Sequence, residues 1–273
     1  MSSATPASAS NTADNGVAGT AAFSKFMRVL QWVADNPEPV GIAEIAKATG
    51  FPRPTVHRIV AALTAERLLV EIGATRSWTL GHRLVQLASR SWSRSGLRTA
   101  ARDALRALRD ETGETVHLAV PSGLCMVYIE KLESPSAVQM ASRIGTSVCL
   151  HSTAVGKAYL AALAPDAAEP LLGQIGYERQ TPQTIADAAA LRKQLLDVRA
   201  CGWSTDAQEN EQDIHCFGAA VRDAGGRPVA AVSVSTLAFR QRPDIQASYV
   251  APLLRACAAI GQRLAENPNL AYA

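Results

Sequence analysis

The stretch HSTAVGKAYL, residues 151–160, brings His151, Ser152, Thr153, Gly156 and Lys157 into one short segment. An imidazole beside two hydroxyls raises nucleophilic catalysis. A Gly-Lys pair ahead of an apolar run raises phosphate binding. Neither survives the spacing. A phosphate loop of the G-x-x-x-x-G-K-[ST] type needs its first glycine at His151 and a hydroxyl at Ala158. A G-x-S-x-G elbow needs glycines on both sides of Ser152, and there are none. Cys149, His151, Cys201, His215 and Cys216 are metal-ligand types, but no pair has finger-type spacing. His215 and Cys216 are adjacent, so on a strand they point to opposite faces. The reading therefore assigns no catalytic residue, no metal and no cofactor. What remains is a helix start. Ser152 or Thr153 caps a helix beginning near Ala154, and the first helical N–H groups stay open to a carboxylate. Lys157 reads as a solvated helix residue and His151 as a satisfied structural histidine. Ser233 and Ser235 stand at i, i+2, so their hydroxyls share one face of a strand, either inward or on a solvent-facing edge.

A second set of polar residues precedes this one. The segment Pro52-Arg53-Pro54-Thr55-Val56-His57-Arg58 opens a helical pattern with Val56, Ile59, Val60 and Leu63 on one face. Arg53, Thr55, His57 and Arg58 are left facing outward. A guanidinium can bond G O6 and N7 together, and a threonine can reach a base edge or a phosphate. Arg76 lies where it can reach backbone phosphate or the minor groove.

The elements that must position these residues are legible in outline. Phe26, Val29, Leu30 and Val33 form one amphipathic helix, and Ile42, Ile45, Ala46 and Thr49 a second that ends at Gly50. Only Gly50-Phe51-Pro52 separates the second from the third, the spacing of a helix-turn-helix. Residues 68–80 then read strand, turn, strand, which completes a winged helix over 21–81. Residues 82–112 read as a linker helix region with a break at Gly96. From 113 to 267 short strands alternate with helices. TVHLAV, LCMVYIEK and AVQMAS read as strands, and IHCFGAAVRD and PVAAVSVST as a hairpin about Gly225-Gly226. The fold class is α+β with a mainly antiparallel sheet. Residues 1–20 are Ala/Ser/Thr-rich and read as a disordered tail.

Bulk properties agree with two domains. The chain has 273 residues and a net charge of +3. Residues 1–100 hold eleven Lys or Arg against six Asp or Glu, a net +5, whereas the remainder carries sixteen against eighteen, a net −2. A basic front half points to a polyanionic partner. Five dispersed cysteines without a CxxC pair indicate reduced thiols and a cytoplasmic protein. The longest uncharged run, Thr115–Ile129, has 15 residues, too short to span a membrane, and no signal peptide is expected.

The residues AEIAKATGFPRPTVHRIVAALTAERLLVE resemble the DNA-binding domain of the IclR family of bacterial transcription regulators. GTSVCLHSTAVGKAYLA and GWSTDAQENEQDIHCFGAAVRDAGGRPVAAVSVST resemble that family's later signatures, in the same order. The resemblance covers roughly residues 22 to 265. It implies a winged helix joined by a linker helix to a GAF-like effector-binding domain. It also implies homodimers or homotetramers on palindromic operators, repressing or activating catabolic genes in response to a small organic acid or aromatic metabolite. By resemblance the effector carboxylate meets the amides of Ala154 and Val155. Polar roles fall on Asp206, Cys216, Ser233 and Ser235, and apolar wall positions on Met140, Val148 and Ile214. Two departures stand out. Pro54 replaces the usual polar residue, removing one phosphate contact. Residues 209–213 lack the glycine common in the family, so a different loop path is expected.

The competing reading is a metabolic enzyme carrying a winged-helix regulatory domain. It requires a nucleophile, metal or nucleotide loop within residues 115–265, and the spacing tests above leave none. A purely structural module would not account for the basic front half.

Overall fold

The computed structural model describes residues 20–73, 76–94 and 96–267. Residues 1–19 of the expected tail, and the turn residues 74 and 75, lie outside the described residues. The chain divides into two compact units, residues 1–92 and 93–273. The division falls within the stretch read as the linker.

In the first unit, α1 (Ala21–Asp35), α2 (Ile42–Thr49) and α3 (Arg53–Ala65) pack their apolar faces together. Val29, Val33, Ile45, Val56, Ile59, Val60 and Leu63 are buried there, and they are the periodic positions of the three patterns. Gly50 ends α2 in the left-handed conformation, φ 71°, and donates its N–H to Ala46 O at 3.0 Å. α3 carries Pro54 in its first turn, where an N–H would have no intrahelical acceptor, so the ring fits without cost to the helix. A small antiparallel sheet of order β1-β3-β2 forms the wing: β1 (Val40–Gly41), β2 (Leu69–Ile72) and β3 (Ser77–Leu80). The sequence reading lacks β1, whose two residues are too few to show a period. Next comes α4 (His82–Arg94).

The second unit is built on a six-stranded antiparallel sheet of order β6-β5-β4-β9-β8-β7. Its strands are β4 (Thr115–Ser122), β5 (Cys125–Leu132), β6 (Ser147–Cys149), β7 (Ser204–Ala207), β8 (Ile214–Arg222) and β9 (Pro228–Leu237). The back face packs against α5 (Gly96–Thr112) and α9 (Ala251–Glu266) through residues such as Leu105, Leu108, Val232, Phe217 and Ile260. The front face packs against α6 (Ala154–Ala162), α7 (Pro165–Gln174) and α8 (Ala188–Cys201) through Met126, Val155, Leu160, Leu172 and Leu191. α5 is thus part of this unit's core rather than a free linker, because Leu97, Ala101, Leu105 and Leu108 are all buried.

The fold class is α+β, as the sequence indicates. One expected strand is absent. Residues 137–142, AVQMAS, form no strand. Side chains satisfy this segment instead of a ladder: Lys131 Nζ donates to the carbonyls of Met140 and Ser142 at 2.8 and 2.7 Å. The edge strand is β6, whose three residues lie a few positions later.

Candidate DNA-reading helix and ligand site

On α3, Arg53, His57 and Arg58 are exposed and Thr55 is half-buried. Arg76 is exposed in the turn just before β3, in the left-handed region at φ 49°. All four helix residues lie in the first two turns, where the positive end of the helix dipole favours phosphate. Arg28, behind them, donates to Thr49 O at 3.1 Å and lies over the Phe51 ring at 4.8 Å. That contact braces the turn between α2 and α3.

In the second unit, register assembles a polar row that spacing alone did not reveal. Asp206 pairs with Cys216, and Cys216 with Ser235. One pair along, Gly218 faces Ser233, which in turn faces His117 on β4. Ser233 and Ser235 are both buried, so the solvent-edge alternative is excluded. Ile214 shares the face of Cys216 and Gly218, being separated from them by even steps along β8. Val148 packs against the front-face core. Met140 is half-buried and is tied down through its carbonyl by Lys131.

The helix start joins this row directly. Thr153 is the N-cap of α6, its hydroxyl accepting from Gly156 N at 3.2 Å and donating to Cys149 O at 2.6 Å. The amides of Ala154 and Val155 are the first two of the helix and so have no intrahelical acceptor. Ser204 Oγ donates to Ala154 O at 2.6 Å. Gly218 lets the helix come this close: a Cβ there would stand 2.5 Å from Ala154 O. Ser152 Oγ donates to Asn210 Oδ1 at 3.1 Å, and the amides of Asn210 and Glu209 donate to Asp206 Oδ1 at 3.2 and 2.7 Å. The helix start, the 206–210 turn and the strand row therefore form one connected cluster.

Its electrostatics are set by burial. Burial raises the Asp206 carboxyl to about 7, against the opposing pull of the Asn210 and Glu209 amides and of Lys157. The Cys216 thiol is pushed well above its ordinary range by burial, and Asp206 adds to this. His117 is held neutral, its pKa lowered to about 3 by burial and then by Lys131. Its ring stacks on Tyr128 at 4.4 Å between centroids, and Nε2 lies 2.8 Å from Ser142 Oγ.

Lys157 overturns its expected place on a solvated face. It is fully buried, and Nζ lies 2.5 Å from Glu209 Oε1. Burial lowers its pKa and the Glu209 carboxylate opposes that. Among the described residues, the other Glu209 oxygen, Oε2, has no hydrogen-bond partner. His151 is buried with Nε2 3.0 Å from Glu178 O, a structural role. The loop lacking the family's glycine keeps a glycine-like turn: Asp213 adopts φ 64°, and its N–H donates to Gln208 Oε1 at 2.9 Å. Sequence reasoning missed His117, Tyr128, Asn210 and the Lys157–Glu209 pair. A histidine in the apolar run TVHLAV was a usable signal. The others depend on a partner 52 residues away for Lys157 and on strand register or loop path for the rest.

Two family models match the chain. The IclR helix-turn-helix domain matches residues 23–73, and the bacterial transcriptional regulator IclR C-terminal domain matches residues 89–261. The chain belongs to the IclR family of bacterial transcriptional regulators. The transcriptional repressor IclR of Escherichia coli is 26% identical over 236 residues, covering 86% of each chain. The regulator XynR of the same organism is 31% identical over 216 residues, 79% of this chain and 86% of XynR. The crystal structure of Thermotoga maritima IclR shares 30% identity at a TM-score of 0.71, covering 89% of this chain and 98% of its own. An IclR homologue from Microbacterium hydrocarbonoxydans, complexed with 4-hydroxybenzoate, has the same fold: TM-score 0.76, 23% identity, 89% of this chain and 99% of its own. IclR-family members are transcriptional regulators, and the helix-turn-helix is a DNA-binding domain. No helix among the described residues is long and apolar enough to cross a membrane.

Proposed function

We propose that this regulator reads an operator with Arg53, Thr55, His57 and Arg58, steadied by Arg76 on phosphate, and that a small carboxylate or aromatic acid adjusts its affinity. The observation that carries the ligand half is the cluster around α6. Two amides without helical acceptors open α6, whose first residue packs against Ser204 and Gly218, and Asp206, Cys216, Ser233 and Ser235 lie on the same strand pairings. The acid engages the Ala154 and Val155 amides, the hydroxyls orient its polar substituents, and Met140, Val148 and Ile214 supply apolar wall. Such a mix of apolar lining and convergent polar groups suits a small organic acid. The same fold holds an aromatic acid in the Microbacterium homologue, which supports the class and not the identity of the ligand.

Two experiments test this reading. DNA fragments selected by the protein from random sequence are used in gel shifts. Arg53→Ala with Arg58→Ala should weaken binding by roughly 1–3 kcal/mol for each base that an arginine reads. Unchanged binding removes α3 as the reader. Calorimetry across a panel of aliphatic and aromatic acids tests the other half. Ser235→Ala and Asp206→Ala should each lower affinity for whichever acid binds, and an unaltered isotherm with both removes the site.

A further inference from the structure

Cys125 and Cys149 are 24 residues apart in sequence. The Cys149 thiol is hydrogen-bonded to Ser152 at the edge of the cluster described above, and the Cys125 thiol donates to Ser122 O at 3.0 Å. The sheet sets them directly opposite each other, Cys125 on β5 against Cys149 on the edge strand β6. Tyr128 donates its N–H to Thr146 O at 3.1 Å, which fixes the phase of this ladder. Counting along it, Tyr128 and Met126 fall at hydrogen-bonded pairs, and Cys125–Cys149 falls at a non-hydrogen-bonded pair. Opposed Cα atoms at such a pair are about 4.5 Å apart with their side chains on one face. Disulfides span Cα separations of about 4.4–6.8 Å, so this pair needs little backbone movement to close. Both thiols are free and half-buried, so a small oxidant can reach them. Burial holds the Cys149 thiol above its ordinary pKa, and Glu178 and Cys125 add to this, whereas Ser152 opposes it.

We propose that Cys125 and Cys149 are a peroxide-responsive thiol pair that closes to an intramolecular disulfide across β5 and β6. The Cys125 sulfur attacks one oxygen of hydrogen peroxide. The O–O bond breaks, the departing hydroxide takes the thiol proton as water, and Cys125 becomes a sulfenic acid. The Cys149 sulfur then attacks that sulfur, the S–O bond breaks, and a second water leaves with the Cys149 proton. Two thiols lose two electrons, and one peroxide becomes two waters. The bond fastens the edge strand at the residue from which α6 hangs, because Cys149 O accepts the Thr153 cap at 2.6 Å.

The test uses the full chain and no ligand. Reduced protein is treated with hydrogen peroxide, the remaining thiols are alkylated, and tryptic peptides are mapped by mass. Cleavage after Lys131 and Arg143 separates the two cysteines, so a disulfide appears as a linked peptide pair lighter by two hydrogens. The expected product is a Cys125–Cys149 pair that disappears on reduction. Cys125→Ser should abolish it. Cys149→Ser should leave a sulfenic acid at Cys125 that a dimedone probe captures. The proposal is overturned if both cysteines are recovered alkylated while the exposed Cys201 is oxidised or joins two chains. The wild-type map decides the matter even if a serine variant folds poorly.

Discussion

Asp206 is where the proposed site meets pH. Its carboxyl is raised to about 7 by burial, so near neutrality it is partly protonated. The sign follows from charge. An anion held at the α6 amides is repelled by an ionised Asp206 and tolerated by a neutral one. Binding should take up a proton, and affinity for a carboxylate should fall as pH rises above about 7, by up to tenfold per unit. Calorimetry across a pH series measures this, and Asp206→Asn should flatten the profile. For folding the same shift means that the native state holds a proton that the unfolded chain releases. Asp206's contribution therefore declines from about pH 4 towards 7 and is level above it. Lys157 makes a second prediction. Replacing it with Met leaves Glu209 buried without its cation, a change that typically costs about 3–5 kcal/mol. Urea denaturation should show that loss, and the double variant Lys157→Met with Glu209→Gln should recover much of it. None of this is legible in the sequence. A lysine one turn into a helix has the same local pattern whether its partner is water or a glutamate from a distant loop.

At the scale of elements, the sequence is most readable where a period repeats. The three helices of the first unit and the β8–β9 hairpin stand where apolar spacing and the Gly225-Gly226 turn place them. It is least readable where length or partner choice decides. β1 has two residues, β6 has three, and AVQMAS has strand-like residues but is pinned by side chains. Two positions test how elements constrain each other. Gly218→Ala drives a methyl into the Ala154 backbone and should destabilise by about 1–3 kcal/mol, read from a denaturant midpoint. Asp213→Gly should act in the opposite direction. It relieves a left-handed φ of 64° that glycine adopts freely, for a gain of up to about 1 kcal/mol at the same measurement.

For the whole molecule, the charge asymmetry between front and back halves anticipates the division of labour, but not where α5 belongs. Its apolar face looks like any amphipathic linker until the sheet it covers is known. If Arg76 contacts phosphate and reads no base, Arg76→Ala should weaken all operators alike. It should also reduce the slope of log affinity against log salt by about one. Ligand binding should change operator affinity by roughly 1–3 kcal/mol, and the operator should change ligand affinity by the same factor. The single thickness of sheet in the second unit offers a way to watch that exchange. Along β8, Cys216 faces the side of the proposed ligand site while its neighbour Phe217 is buried on the face covered by α5 and α9, 6.1 Å from the Trp203 ring. Occupancy on one side of this diaphragm should alter the optical environment of an indole on the other. If the proposed ligand binds there, Trp203 fluorescence should report it without any contact between the two.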